Sequence, residues 1–340
     1  MPSPREAFAV LKVMVAVVFL FGLLDLPGRS QTSVNDIHVV PRVMAPAVAN
    51  TVASSALVGG TLLHVLKTDV RLVLVPVSVT DAAQRLVTGL RAENFQLFEG
   101  KKPQEIRNFS SEDVPVSIGI ILDASGSMVN KMARVRDAVN QFCESANPQD
   151  EFFMFVFADQ PRLVTDFTSV PEDLVMVLLF TQPKGRTALL DAIYMGLHKM
   201  KAAKYGKKAL LIISDGGDNH SLYGEKEVKA AAKEADVLIY SIGVFDRYVS
   251  SQEESRGPAL LTEIAEPTGG RAFTLANEIE LPAVASHIGR ELRTQYVIGY
   301  RPEEMPKDGK WHKIQVKLRL PRKLSFLKAR ARTGYYAPAQ

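Results

Sequence analysis

The chain has 340 residues, long enough for two or three domains and for a sizeable core. Its composition, 46% hydrophobic and 23% charged, excludes a disordered or fibrous protein. The net charge of +4 is mild, too small by itself to mark a nucleic-acid binder, and a single cysteine excludes an internal disulfide.

Residues 1–30 read as a secretory signal peptide. Arg5 and Lys12 precede an apolar run from Val13 to Leu24, and Pro27, Gly28 and Ser30 follow it. The run is short for a membrane span, so export to the periplasm or medium is expected, with an uncleaved N-terminal anchor as the alternative. Residues 31–68, rich in Ala, Val and Ser, show no clean periodicity and are expected to be a linker or irregular segment.

From Val70 the pattern becomes β-like. "VRLVLVPVSVTD" alternates, and "FQLFEGKKPQEIRNF" reads as two short strands about a Glu99-Gly100 turn. From Val116 to about Thr294, strands and helices alternate. The predicted strands are "VSIGIIL", "FFMFVF", "RLVTDF", "ALLIIS", "VLIYSIGV" and "RAFTL". Between them lie the helical stretches "NKMARVRDAVNQFCESA", "EDLVMVLLF", "ALLDAIYMGLHKMKAA", "EKEVKAAAKEA", "ALLTEIAE" and "ELPAVASHIGREL". The nearly continuous apolar runs belong to strands covered on both faces. An α/β, doubly wound, mostly parallel sheet follows, with ligands expected at the carboxyl ends of its strands. Cys143 falls on the apolar face of the first helix and reads as a small buried residue.

After Thr294 β patterning returns in "QYVIGYRP", "HKIQVKLRL" and "FLKARART". Ile314, Val316, Leu318 and Leu320 share one face, which needs a partner sheet. The N-terminal β segment is the natural partner. The expected organisation is therefore one small β-sandwich made by both flanks, residues 69–115 and 294–340, with an α/β domain at 116–293 inserted between them. The segment 301–332 carries eleven Lys or Arg against three acidic residues. Most of these read as a solvated face. Lys313, Lys317, Arg319, Lys328, Arg330 and Arg332 are candidates for contact with an anionic envelope surface.

"LDASGS" ends the first parallel strand. Alone, Asp123, Ser125 and Ser127 are either an ordinary polar turn or half of a metal site. "GRTALLDA" puts Thr187 before a helix, and "LLIISDGGDN" puts Asp215 at another strand end. Together these loops supply five oxygen side chains without nitrogen or sulfur, which suits a hard divalent cation and not zinc or copper. Asp218 and Asn219 are either extra ligands or loop-shaping residues. Asp191 is either a first-turn helix acid or a supporting group near the metal. No phosphate-binding G-x-x-x-x-G-K-[ST] loop, nucleophile elbow or suitably placed histidine suggests an enzyme. Nucleic acid and small-molecule substrates are not expected partners.

The α/β stretch resembles the von Willebrand factor A domain, whose metal-ion-dependent adhesion site follows the pattern D-x-S-x-S…T…D. All five positions are present here. The flanks, with "VSVTDAAQRLVTGLRAENFQLFEG" and "LRTQYVIGYRPEE", resemble an exported bacterial "VWFA-related" family prominent in Acidobacteria. The resemblance implies that Ser125, Ser127 and Thr187 offer hydroxyls directly to Mg²⁺ or Mn²⁺, with Asp123 and Asp215 acting mainly through water. It also implies a protein partner with an exposed Asp or Glu.

Overall fold

The structure is a computed structural model that describes residues 72–215, 217–245, 252–302 and 308–338. The expected signal peptide at 1–30 and the segment 31–68 lie outside the described residues.

The central α/β unit begins with β5 (Val116–Asp123), whose eight residues are all buried. It is followed by α1 (Met132–Glu144), β6 (Glu151–Phe157), β7 (Pro161–Thr168), α2 (Pro171–Phe180) and α3 (Leu189–Lys199). Then come β8 (Lys207–Ser214), α4 (Glu225–Glu234), β9 (Leu238–Val244), α5 (Gln252–Ala265), β10 (Arg271–Leu275) and α6 (Leu281–Arg293). The sheet order is β10-β9-β8-β5-β6-β7. Pairing is parallel from β10 to β6, and β7 closes the edge antiparallel to β6.

Each face of this sheet carries its own apolar core, which is why its central strands lack polar alternation. One core joins Ile118, Ile120 and Leu122 to Val135, Phe142 and Ile288. The other joins Ile121, Phe153 and Ile212 to Ile193, Val228 and Leu261. Gly119 permits the tight packing in the middle of β5, since a Cβ there would stand 2.3 Å from the Phe153 ring. Cys143 is buried as expected, and burial pushes its thiol pKa up to about 12.

The flanks form two antiparallel sheets. In the first, β1 (Val73–Thr80), β4 (Ile106–Ser110), β11 (Tyr296–Tyr300) and β13 (Lys328–Ala331) run in the order β13-β1-β11-β4. In the second, β2 (Phe95–Glu99), β3 (Lys102–Gln104), β12 (Trp311–Leu318) and β14 (Gly334–Tyr336) run in the order β14-β12-β2-β3. N-terminal and C-terminal strands interleave in both, with Val75 opposite Ile298 and Val316 opposite Leu97. The sheets share a core of Val75, Val77, Phe95, Leu97, Tyr296, Ile298, Tyr300 and Ile314. Phe95 packs on Tyr296 at 5.1 Å between ring centroids, and the Tyr296 hydroxyl donates to the Val87 carbonyl while accepting from the Leu90 N–H.

Two details differ from the sequence reading. The second half of "FQLFEGKKPQEIRNF" is not one strand. It breaks at Glu105, so that β3 stays with β2 while β4 crosses to the other sheet and pairs with β11. The last strands also lean on the α/β unit. Thr333 N–H donates to the Pro267 carbonyl, and the Arg332 guanidinium bonds Asp236 and the Gly334 carbonyl. Arg330 has a buried guanidinium nitrogen that finds no hydrogen-bond partner among the described residues. These two arginines therefore face protein, which corrects their assignment to an anionic-surface face. Lys313, Lys317, Arg319 and Lys328 remain exposed.

Candidate functional site

The strand order reverses between β5 and β8. The chain leaves β5 toward β6 on one side, while β8 lies on the other. Loops diverge at such a point, leaving a crevice at the carboxyl ends. Asp123 ends β5 and Ser214 ends β8, and the Ser214 hydroxyl donates to Asp123 Oδ2 at 2.5 Å across that crevice.

Asp123 is fully buried. Its Oδ1 accepts from the Ser125 N–H at 2.8 Å. With both oxygens occupied, Asp123 fixes the turn that follows it. Burial raises its pKa to about 6, the nearby Asp215 adds to the effect, and the bonds from Ser214 and Ser125 oppose it. Ser125 stays extended, and residues 126–128 make one tight helical turn. That turn brings the Ser125 and Ser127 hydroxyls within 3.1 Å of each other. The Ser127 hydroxyl then donates to Asp215 Oδ1 at 2.8 Å.

Thr187 reaches the same place by way of its neighbours. The Lys184 N–H donates to the Ala124 carbonyl at 2.9 Å, and the Gly126 N–H donates to the Gly185 carbonyl at 3.1 Å. Gly185 has φ +88°, and a Cβ there would stand 2.6 Å from an Asp159 carboxylate oxygen. On the other side, Asn219 clasps Thr187. Its side-chain oxygen accepts the Thr187 N–H at 3.0 Å, and its own N–H donates to the Thr187 carbonyl at 3.1 Å. Three strand-end loops are thus stitched together mainly through backbone groups. Four of the five predicted residues are brought in by direct bonds, and Thr187 by its loop.

Asp218 and Asp191 turn out to be loop fasteners. Asp218 Oδ1 accepts from the Leu190 N–H at 3.2 Å and from the Ser221 hydroxyl. Asp191 Oδ1 accepts from the N–H groups of Leu222 and Tyr223, both at 2.9 Å. Asn219 shapes the Thr187 loop in the same manner.

The sequence reading missed Lys131. Its ammonium lies 2.6 Å from Asp215 Oδ2, and the two side chains are 10% and 0% exposed. The available signal was spacing. Lys131 stands just before the helix that follows the D-x-S-x-S turn, a basic residue close in sequence to the acidic and hydroxyl cluster. Ser214 was also missed, although a serine closing the apolar run "ALLII" is itself a signal.

Three hydroxyls and two carboxylates are a hard-donor set that fits a small divalent cation. Among the described residues, no cluster of three or more His, Cys, Asp or Glu side chains stands ready to hold a metal. Any cation here would therefore depend on Ser125, Ser127 and Thr187, with Lys131 beside it.

Residues 118–217 match the family model of the von Willebrand factor type A domain. This stretch is a von Willebrand factor type A domain. No curated protein matches the chain. Among solved structures, the chain is similar to the PilB minor pilin from Streptococcus sanguinis, at 14% identity and TM-score 0.43. That match covers 54% of this chain and 63% of the pilin, so less than two thirds of the pilin's length is spanned. The vWF domain of the type V pili tip protein Mfa5 from Porphyromonas gingivalis is 13% identical at TM-score 0.43, covering 52% of this chain and 95% of that one. A von Willebrand factor type A protein from Catenulispora acidiphila is 12% identical at TM-score 0.48, covering 79% and 75%.

Proposed function

We propose that the protein is an exported, divalent-metal-dependent binding module that recognises an acidic group on a protein partner, and that it is not an enzyme. The observation that carries this reading is the stitching of three strand-end loops, with the Ser125 and Ser127 hydroxyls beside Asp215 and the Thr187 loop bonded to its neighbours through the backbone. Mg²⁺ or Mn²⁺ is the cation such small, hard ligands suit. Held largely by neutral hydroxyls, it keeps most of its charge and offers a coordination position to an outside carboxylate. Asp123 holds the Ser125 backbone in place, Asn219 holds Thr187, and Lys131 holds Asp215.

The non-enzyme reading draws on the same geometry. His220 lies in the neighbouring loop, but its ring nitrogen faces Arg186 at 3.4 Å and not a serine hydroxyl. The exported reading draws on the charged start and apolar run of residues 1–30, and a periplasmic or secreted protein follows from it. An exposed Asp or Glu on the partner is the expected determinant.

Lys131 favours a second reading. With its ammonium on Asp215, the loops are charge-balanced internally, and the site serves as a structural lock without metal. Calorimetric titration of the chelator-treated protein with Mg²⁺, Mn²⁺ and Ca²⁺ separates the two. The first reading expects Mg²⁺ or Mn²⁺ to bind more tightly than Ca²⁺. It also expects Thr187→Ala to weaken that binding by about tenfold or more while leaving the fold intact. Absence of divalent binding to the wild-type protein establishes the lock instead.

A further inference from the structure

A second cleft, of about 640 Å³, lies between loop 83–88 of the N-terminal flank, the start of β10 and the last turns of α6. β10 runs parallel to β9, so its first residue marks the amino end of the sheet, away from the carboxyl-end loops that build the candidate metal site. The cleft exists only because the sandwich docks on the A domain, since each contributes part of the wall.

The wall is cationic. Arg85, Arg271, Arg290, Arg293 and His287 line it, and no carboxylate does among the described residues. Two of these arginines are matched by acids outside the cleft. Arg85 pairs with Asp81 at 2.7 Å, and Arg293 pairs with Asp113 and Asp150 at 3.0 and 3.2 Å. The other two contact neutral groups directly, although the charges of Arg330, Glu291 and Glu266 lie within electrostatic reach of Arg271. Arg290 donates to the Ser286 hydroxyl of its own helix at 2.9 Å. Arg271 lies over the Phe273 ring, 4.4 Å from its centroid. Behind the wall, Glu291 is fully buried, with one oxygen accepting from the Tyr240 hydroxyl and the other 3.9 Å from His287.

Among the described residues, three atoms of the lining are buried without a hydrogen-bond partner: Arg271 Nη1, Arg293 Nη2 and Gln84 Oε1. Buried donors on cationic groups are costly to leave unmatched. Gln84 adds an independent signal. It holds φ +61°, a left-handed conformation uncommon for a non-glycine residue, at the rim of the cleft. Backbone outliers of this kind concentrate at ligand-holding sites. Guanidinium forks match the paired oxygens of carboxylates and phosphates, and the volume is that of a small-molecule site.

We propose that this cleft binds a small oxyanion-bearing ligand, its carboxylate or phosphate held by Arg271, Arg290 and Arg293 and its hydroxyl or amide hydrogen by Gln84. The ligand would join the flank to the A domain at the amino end of the sheet. The test is calorimetry on the full chain with inorganic phosphate and, separately, with glutarate. Binding of either probe at one site, weakened by about tenfold or more in Arg271→Gln/Arg290→Gln and unchanged in Thr187→Ala, supports the proposal. The probe that binds more tightly identifies the oxyanion. The single variant Arg290→Gln, whose side chain among the described residues bonds its own helix at Ser286, keeps the test usable should the double variant not fold. Failure of both probes to bind with a dissociation constant below about 1 mM, or undiminished binding in the arginine variants, overturns it.

Discussion

Lys131 and Asp215 show how one side chain changes the meaning of a site. The ion pair is almost wholly removed from water, and breaking such a pair leaves an uncompensated charge. Lys131→Met is therefore expected to cost about 3 kcal/mol of stability in the presence of chelator. Chemical denaturation measures this loss. If the metal-binding reading holds, saturating Mg²⁺ restores part of the loss, and restores more in the variant than in the wild type. Lys207 gives a second prediction at this scale. Its ammonium donates to the Leu292 carbonyl at the end of α6, and burial, aided by Arg293, depresses its pKa from 10.5 to about 8. Between about pH 8 and pH 10.5 the unfolded chain therefore holds a proton that the folded chain has lost. Stability contributed by this group rises with pH across that window. Denaturation midpoints at pH 8 and pH 10 should diverge in favour of wild type over Lys207→Met as pH increases.

At the scale of elements, α6 is the link between the two folding units, and both its face and its end are fixed. Its Gly289 lies against the end of α1. A Cβ at that position would stand 1.8 Å from Ser145 Oγ and 3.4 Å from the Phe142 carbonyl oxygen. Ser145 is itself held by donating to that same carbonyl at 2.6 Å, so it cannot yield without losing a bond. Gly289→Ala should destabilise the protein by about 1–3 kcal/mol, the usual cost of overpacking. Thermal unfolding checks this, and combining it with Ser145→Gly should recover most of the loss. The helix ends at Arg293 and β11 begins at Tyr296, so any shift of α6 along its axis is transmitted to the sandwich.

At the scale of the molecule, the sandwich is assembled from chain segments about two hundred residues apart. β1 lies between β11 and β13, and β2 pairs with β12. Neither flank alone can bury the face that carries Val75, Leu97, Tyr296 and Ile314. Expressed separately, residues 116–293 should fold cooperatively, and residues 69–115 and 294–340 should not. A cooperative unfolding transition in either isolated flank would contradict this organisation. The A domain is then an insertion whose two connections run side by side, since Ser110 pairs with Val297.

Local patterning by itself determined most of this architecture. Continuous apolar runs marked the buried strands, helical periodicity marked the covering helices, and one-sided alternation in 312–320 demanded a second sheet. The type and spacing of Asp123, Ser125, Ser127, Thr187 and Asp215 marked candidate hard donors at strand ends, because strand-end position follows from the strand pattern. Tertiary structure alone decided the rest. The break at Glu105 is invisible locally, because a strand's sheet is chosen by its partners and not by its own alternation. Arg330 and Arg332 alternate with Lys328 as a solvated face would, yet the A domain covers them. The partner of Lys131 lies eighty-four residues away, and the arginines of the amino-end cleft come from separate units. Periodicity reports which side of an element is apolar. What a polar side chain meets depends on which distant segment packs there, and no local pattern encodes that.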